Sequence, residues 1–442
     1  MKLYQNLFLI AVALFFTTIQ SSQSKNILLD QYSNLLYNFL LGKEIIKPSF
    51  PASNQIDKLT RKPENQSTNC QPNYTQPNFL VVGGGGAPSY NEIALEKNIL
   101  YFQRTLKQMG YEPSSAAIFF ANGNDKQATV RYLDSQRNEK FKVPNIPHLQ
   151  GSATVENFQK SLKNILEKPD KKPLFFYFTG HGHLNKQNDD NNAIILWEED
   201  LVTVRGLSNF LDKLPQDKQI VAMMAQCFSG SFANFIYQDG IPGKPLALQT
   251  RCGFFATIST LPSVGCTPEV NEADYQDYSS SFFAGLSGVN RIGKAVSSAD
   301  YNRDGRVSYA EAHAFAKVDE KSPDLPVSTS EVWLQRKITK IDIDRILSEP
   351  IVKFVNIARP EQKYVLTSLS KLLKFNPQNS YWQNFETILD GKSITQVTQA
   401  YQLRLLMQLI NVGTEQKIRL QKNPQDLVIL NRLINCEASS WK

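Results

Sequence analysis

Two short blocks of this chain end an apolar run in a reactive side chain. Leu174-Phe175-Phe176-Tyr177-Phe178-Thr179 leads into Gly180-His181-Gly182, and Gln219-Ile220-Val221-Ala222-Met223-Met224-Ala225 leads into Gln226-Cys227-Phe228-Ser229-Gly230-Ser231. Runs of this length, bounded by Gly and polar residues, read as buried strands of a parallel sheet, whose carboxyl ends are where α/β proteins place their chemistry. One strand then delivers an imidazole and the other a thiol to the same edge. A thiol attacks as its thiolate, and imidazole is the base best matched to producing one near neutral pH. His181 is preferred to His183 because the flanking glycines let the backbone turn and leave the ring exposed. The turn from Phe228 to Ser231 is expected to open a helix whose N-terminal dipole favours a thiolate at Cys227.

A second constellation is Asp300-Tyr301-Asn302-Arg303-Asp304-Gly305-Arg306-Val307-Ser308-Tyr309-Ala310-Glu311. It matches the EF-hand calcium loop at every ligand position: side-chain oxygens from Asp300, Asn302 and Asp304, the turn at Gly305, the carbonyl of Arg306, Ser308 through a water, and Glu311 binding bidentately. A structural Ca2+ is therefore the expected cofactor, although EF-hands usually work in pairs and no second loop is found. An exit helix is expected over Ala310 to Lys317.

The elements that must position these groups alternate from residue 76 onward. Strands are expected at Asn78 to Gly83, Ala116 to Phe120, the two apolar runs, and Phe254 to Ser259. Helices are expected from Glu92 to Met109, Val155 to Leu166 and Val204 to Leu214. That order predicts an α/β sheet with helices on both faces. Gly83 to Gly86 lack the Lys-Ser/Thr of a nucleotide loop, so a tight strand-to-helix turn is the expectation. After about residue 330, apolar residues at helical spacing in Ile341 to Leu347, Tyr364 to Phe375, Val397 to Leu409 and Leu427 to Ile434 predict a smaller all-helical C-terminal domain. The organisation expected is a signal segment over 1–24, a helix and Pro/Asn/Gln-rich linker over 25–75, a catalytic domain over 76–330 carrying the 300–311 loop, and the helical domain over 331–442.

With 48 basic and 41 acidic residues spread along 442, a net charge of +7 and no long basic run, nucleic-acid binding is not indicated. Lys2, the apolar run Leu7 to Phe16 and Ser22-Gln23-Ser24 read as a secretory signal too short to span a bilayer, and no other segment reaches spanning length. An exported protein is expected, with Asn65-Gln66-Ser67 and Asn73-Tyr74-Thr75 as glycosylation acceptors in a eukaryotic host. With Cys227 free as nucleophile, Cys70, Cys252, Cys266 and Cys436 remain to pair in three ways, or to stay as buried thiols. A Cys252–Cys266 bridge is the expectation, because these two flank the strand and loop that come after the nucleophile.

At the two reactive blocks the chain resembles the caspase-like superfamily of cysteine peptidases, in particular the legumain branch that includes the catalytic subunit of the GPI transamidase. Tyr177-Phe178-Thr179-Gly180-His181-Gly182 and Cys227-Phe228-Ser229-Gly230-Ser231 carry the likeness, within roughly residues 76 to 318. The resemblance implies a caspase-like sheet, His181 as general base and later acid, Cys227 as the nucleophile that forms a thioester with a peptide substrate, and the backbone amides of Gly182 and Cys227 as the oxyanion hole. A transamidase or peptide ligase would use the same dyad, and a catalytically silent calcium-dependent binding protein is the rival from another class. Legumains also carry a helical C-terminal region that covers the active site in the precursor. The chain departs from them in having Ala225-Gln226 where they have Glu-Ala. Their basic Arg-His anchor aligns with Asn91 and Glu92. Glu92, with Asp274 and Asp277 brought to the same pocket, is therefore expected to favour a basic residue before the cut.

Overall fold

A computed structural model describes residues 76–388 and 395–442. The signal segment, the linker, both glycosylation sequences and Cys70 lie outside the described residues. Among the latter, no helix is long and apolar enough to cross a membrane.

The chain forms an α/β structure around a nine-stranded, mostly parallel sheet. Its strands are β1 (Asn78–Gly84), β2 (Ala116–Phe120), β5 (Leu149–Gly151), β6 (Leu174–His183), β7 (Ala193–Ile195), β8 (Leu201–Thr203), β9 (Ile220–Met224), β10 (Arg251–Phe255) and β11 (Val327–Ser328), and a separate hairpin joins β3 (Val130–Leu133) to β4 (Glu139–Lys142). The order across the sheet is β11-β10-β9-β6-β1-β2-β5, with β7 and β8 added antiparallel at the end of β6. Six neighbouring strands, β10, β9, β6, β1, β2 and β5, run parallel.

Period-two alternation explains why the central strands are apolar on both sides. Phe79, Val81, Phe175, Tyr177, Val221 and Met223 enter one core. There they meet α1 (Ile93–Gln108), α4 (Tyr278–Ser287) and α5 (Tyr309–Asp319). The intervening Leu80, Val82, Phe176, Phe178, Ala222 and Met224 enter the other core. That face is covered by α2 (Val155–Leu166), α3 (Val204–Leu211) and α6 (Thr329–Lys337).

The C-terminal region is helical, as the spacing predicts: α7 (Lys340–Ser348), α8 (Ile351–Ile357), α9 (Pro360–Leu372), α10 (Tyr381–Ile388), α11 (Gln396–Gln421) and α12 (Pro424–Glu437). Its apolar residues, among them Ile343, Leu366, Leu405 and Leu430, are continuous with the core beneath β6 and β9. The chain end crosses to the opposite core, where Trp441 packs edge-on against Phe79, Phe102 and Phe175.

Cysteine pairing differs from expectation. Cys252 is bonded to Cys436, at the end of α12, and Cys266 is free. The register gives the reason. Cys252 lies opposite Val221, which lies opposite Phe175, five residues before Gly180, whose carbonyl faces the Cys266 thiol. At about 3.3 Å per residue, that sets the two sulfurs roughly 16 Å apart along the strands. A bridge requires Cα atoms within about 7 Å.

Candidate active site

The sheet register brings the two reactive blocks together. In the parallel pairing of β6 with β9, Phe178 faces Met224, so the third residue beyond each, His181 and Cys227, reach the same level at the carboxyl end. Gly182 packs so closely on the Cys227 segment that a Cβ there would lie 2.0 Å from the Cys227 carbonyl oxygen, which restricts the position to glycine. This contact sets the Gly182 and Cys227 backbones side by side. Phe228 has a left-handed φ of 60°, a conformation costing a non-glycine residue about 1–2 kcal/mol, and it turns the chain sharply out of the strand direction.

The next element is an eight-residue 3-10 helix, Ser229–Ile236, and the expectation of a dipole-stabilised thiolate does not hold. Burial pushes the Cys227 thiol up to about 11, and the Ser263 amide offsets this only in part. The sulfur accepts from Ser263 N at 3.3 Å and its S–H faces the Ser263 carbonyl at 3.5 Å. In this state Cys227 is held as a thiol by the loop that crosses it. Asp324 holds that loop from behind, accepting from the Ser263 hydroxyl and from Val264 N at 3.0 Å.

His181 bonds through Nε2 to Glu92 Oε2 at 2.9 Å, and Arg131 donates to the other carboxylate oxygen at 2.8 Å. Glu92 is 4% exposed and stands at the N-terminal boundary of α1. Burial alone would raise its pKa, but the bonds from His181 and Arg131 outweigh burial and hold it below the ordinary carboxylate value. Tyr90 stands edge-on to the imidazole at 5.2 Å and donates to Glu199 at 2.9 Å. Thus the imidazole is bonded to Glu92 and the thiol to Ser263.

These contacts correct the acidic-pocket expectation. Glu92 has both oxygens occupied. Asp277, 2% exposed, caps α4 through Ser280 N at 2.9 Å, accepts from Asn98 at 2.9 Å and lies 3.8 Å from Arg291. Asp274 is exposed on the loop before α4. A buried carboxylate must be partnered, and these acids, bonded to protein groups or set out on the surface, line no shared open pocket for a basic side chain of a substrate. Asn91, the other aligned position, accepts from Gly85 N at 3.0 Å and pins the glycine turn. In that turn a Cβ on Gly85 would lie 2.0 Å from the Tyr90 carbonyl, so the glycines serve close packing.

Three roles are not carried by any local pattern in the sequence: Glu92 as the partner of His181, Ser263 as the cradle of the thiol, and Cys266 beside them. A helix starting just after the first strand necessarily begins beside the strand ends, and this is the available signal for Glu92. Ser263 and Cys266 arrive on a loop whose path no local pattern encodes. Gln226, one of the two departures from the legumain pattern, is 1% exposed, and neither of its amide atoms has a hydrogen-bond partner. An unmet buried amide costs about 1–3 kcal/mol.

The 300–311 loop has the expected turn, with Gly305 at φ 85°. Asp300 accepts from Asp304 N at 3.1 Å and Gly305 N at 3.0 Å, Asn302 from Asp304 N at 2.9 Å, and Asp304 from Arg306 N at 3.0 Å. The Arg306 guanidinium pairs with Asp304 at 3.3 Å. Ser308 caps α5, and Glu311 reaches back to Tyr301 N at 2.9 Å and Asn302 N at 3.1 Å, drawing the two ends of the loop together. The oxygen donors suit Ca2+ in kind, but here they are turned onto loop amides. Among the described residues, the His/Cys/Asp/Glu trio with ligand atoms mutually within 4.8 Å is instead Glu92, His181 and Cys266. Comparison with protein-family models and with curated proteins returns no match.

Proposed function

We propose that this chain is an exported cysteine endopeptidase of the caspase-like, legumain-related kind. The observation that carries the reading is the register that sets His181 level with Cys227 on adjacent parallel strand ends, with Glu92 on the imidazole. An anionic Glu92 accepts from Nε2–H, which leaves the Nδ1 lone pair as the base. In the reaction the Cys227 proton passes to Nδ1 as the sulfur bonds to the peptide carbonyl carbon. The oxyanion is met by the Gly182 and Cys227 amides, and His181 returns the proton to the departing amine. Water then hydrolyses the thioester; an amine in its place would make the enzyme a transamidase or ligase.

Because the resting thiol is bonded to Ser263, substrate must displace that bond before attack. The Cys252–Cys436 disulfide supports an oxidising, extracytoplasmic setting. The donor set of the 300–311 loop supports a structural Ca2+, which Asp300, Asn302, Asp304, the Arg306 carbonyl, Ser308 and Glu311 would hold.

Labelling with a thiol-directed acyl probe, read by mass spectrometry beside a peptide-cleavage assay, tests the reading. Wild-type protein should be modified selectively at Cys227 and should cleave, whereas His181→Ala and Cys227→Ala should each lose cleavage. Near wild-type turnover in either variant would refute the assignment. No selective labelling in the wild type would favour the calcium-dependent binding protein.

A further inference from the structure

We propose that Glu92, His181 and Cys266 form a binding site for a thiophilic divalent cation, with Zn2+ as the fitting occupant. The three residues come from separate segments: the start of α1, the end of β6 and the loop before α4. Their ligand atoms all lie within 4.8 Å of one another. A tetrahedral zinc site with bonds of about 2.0–2.3 Å sets its ligands roughly 3.3–3.8 Å apart, so side-chain adjustments of about an ångström suffice. One soft sulfur, one imidazole and one carboxylate is a donor set that selects zinc over calcium or magnesium.

The surroundings support a metal centre. Arg131 holds the free oxygen of Glu92 at 2.8 Å, the kind of outer contact that fixes a carboxylate ligand. Glu92 is 4% exposed, unlike a surface cluster of acids, and the Cys266 thiol makes a long contact of 3.7 Å to the Gly180 carbonyl. The imidazole is partly exposed, which leaves a side open for water as fourth ligand.

Binding is a ligand exchange without redox. Cys266 gives its S–H proton to solvent as the sulfur–metal bond forms. The Nε2 proton of His181 is replaced by a proton on Nδ1, so that Nε2 donates its lone pair to the metal and Glu92 Oε2 exchanges its hydrogen bond for a metal bond. The same tautomer change removes the Nδ1 base from Cys227. Metal occupancy therefore switches the proposed peptidase off.

The test does not depend on activity. Chelator-treated full-length protein is titrated with Co2+, whose thiolate-to-metal absorption in the near ultraviolet reports a sulfur ligand. The band should rise to about one equivalent, be displaced by Zn2+, persist in Cys227→Ser and vanish in Cys266→Ser. His181→Ala should weaken binding by roughly tenfold or more. As a measurement free of substitutions, Zn2+ should protect Cys266 from alkylation in the wild type. Absence of the band, its survival in Cys266→Ser, or an alkylation rate at Cys266 indifferent to Zn2+ would each overturn the site.

Discussion

Glu92 shows how one residue's role depends on which atoms are left unbonded. Its carboxylate is shared between the imidazole and Arg131, so in the proposed reaction it would orient the imidazole instead of receiving substrate. Glu92→Gln keeps the shape and loses the charge, a loss of about 1.5–3 kcal/mol for a hydrogen bond to an ionised group. The expected outcome is a fall in kcat of roughly 10–100-fold with KM little changed, measured on a peptide substrate. Stability gives an independent readout. Because the folded state holds this carboxyl below its ordinary value, the pair's contribution is complete above about pH 4.5 and is lost as pH falls through the lower folded value. Wild type and Glu92→Gln should therefore differ in Tm at neutral pH and converge in acid; a constant gap would show that the carboxylate contributes no charge.

The 300–311 loop and α5 are joined by Glu311, whose carboxylate both closes the Ser308 capping box and spans the loop to Tyr301 and Asn302. Calcium would be added to a loop already closed by its own amide bonds. Even so, a ligand that binds only the folded chain raises Tm by mass action, by about 2.7 kcal/mol at a hundredfold excess over Kd. Calorimetry with Ca2+ and with chelator should show the shift, and Asp300→Ala should abolish it; superimposable curves would show that the loop takes no ion. Behind α5, the segment 317–324 is held by Arg404 of α11, 1% exposed, which donates to the carbonyls of Lys317, Glu320, Ser322 and Asp324 at 2.8–3.0 Å. Asp324 in turn anchors the Ser263 loop over Cys227. A helix of the C-terminal region thus sets the position of the thiol's cradle.

For the molecule as a whole, the Cys252–Cys436 bridge ties β10 to α12 across 184 residues. On the chain-entropy estimate, closing a loop of that length is worth about 5 kcal/mol, comparable with the whole stability of many domains. Non-reducing peptide mapping should recover Cys252 linked to Cys436, with Cys227 and Cys266 alkylated. The Cys252→Ala/Cys436→Ala double variant should unfold at markedly lower denaturant. Recovery of a Cys252–Cys266 peptide would contradict the register of β6, β9 and β10.

The alternation of strand and helix, the apolar runs that become β6 and β9, the Gly305 turn and the C-terminal helices were legible in the sequence because each arises from local periodicity and turn chemistry. The placement of His181 and Cys227 at one sheet edge was legible too, since two buried parallel strands present their ends there. The expected strand at Phe254 to Ser259 forms earlier, at Arg251–Phe255, because Gly253, Phe254 and Phe255 take up the register of Ala222, Met223 and Met224. The sulfur partners, the employment of Glu92 and the protonated state of Cys227 were not legible. Each of these depends on which distant segment arrives beside a side chain and how much water it excludes, and only the tertiary structure decides that.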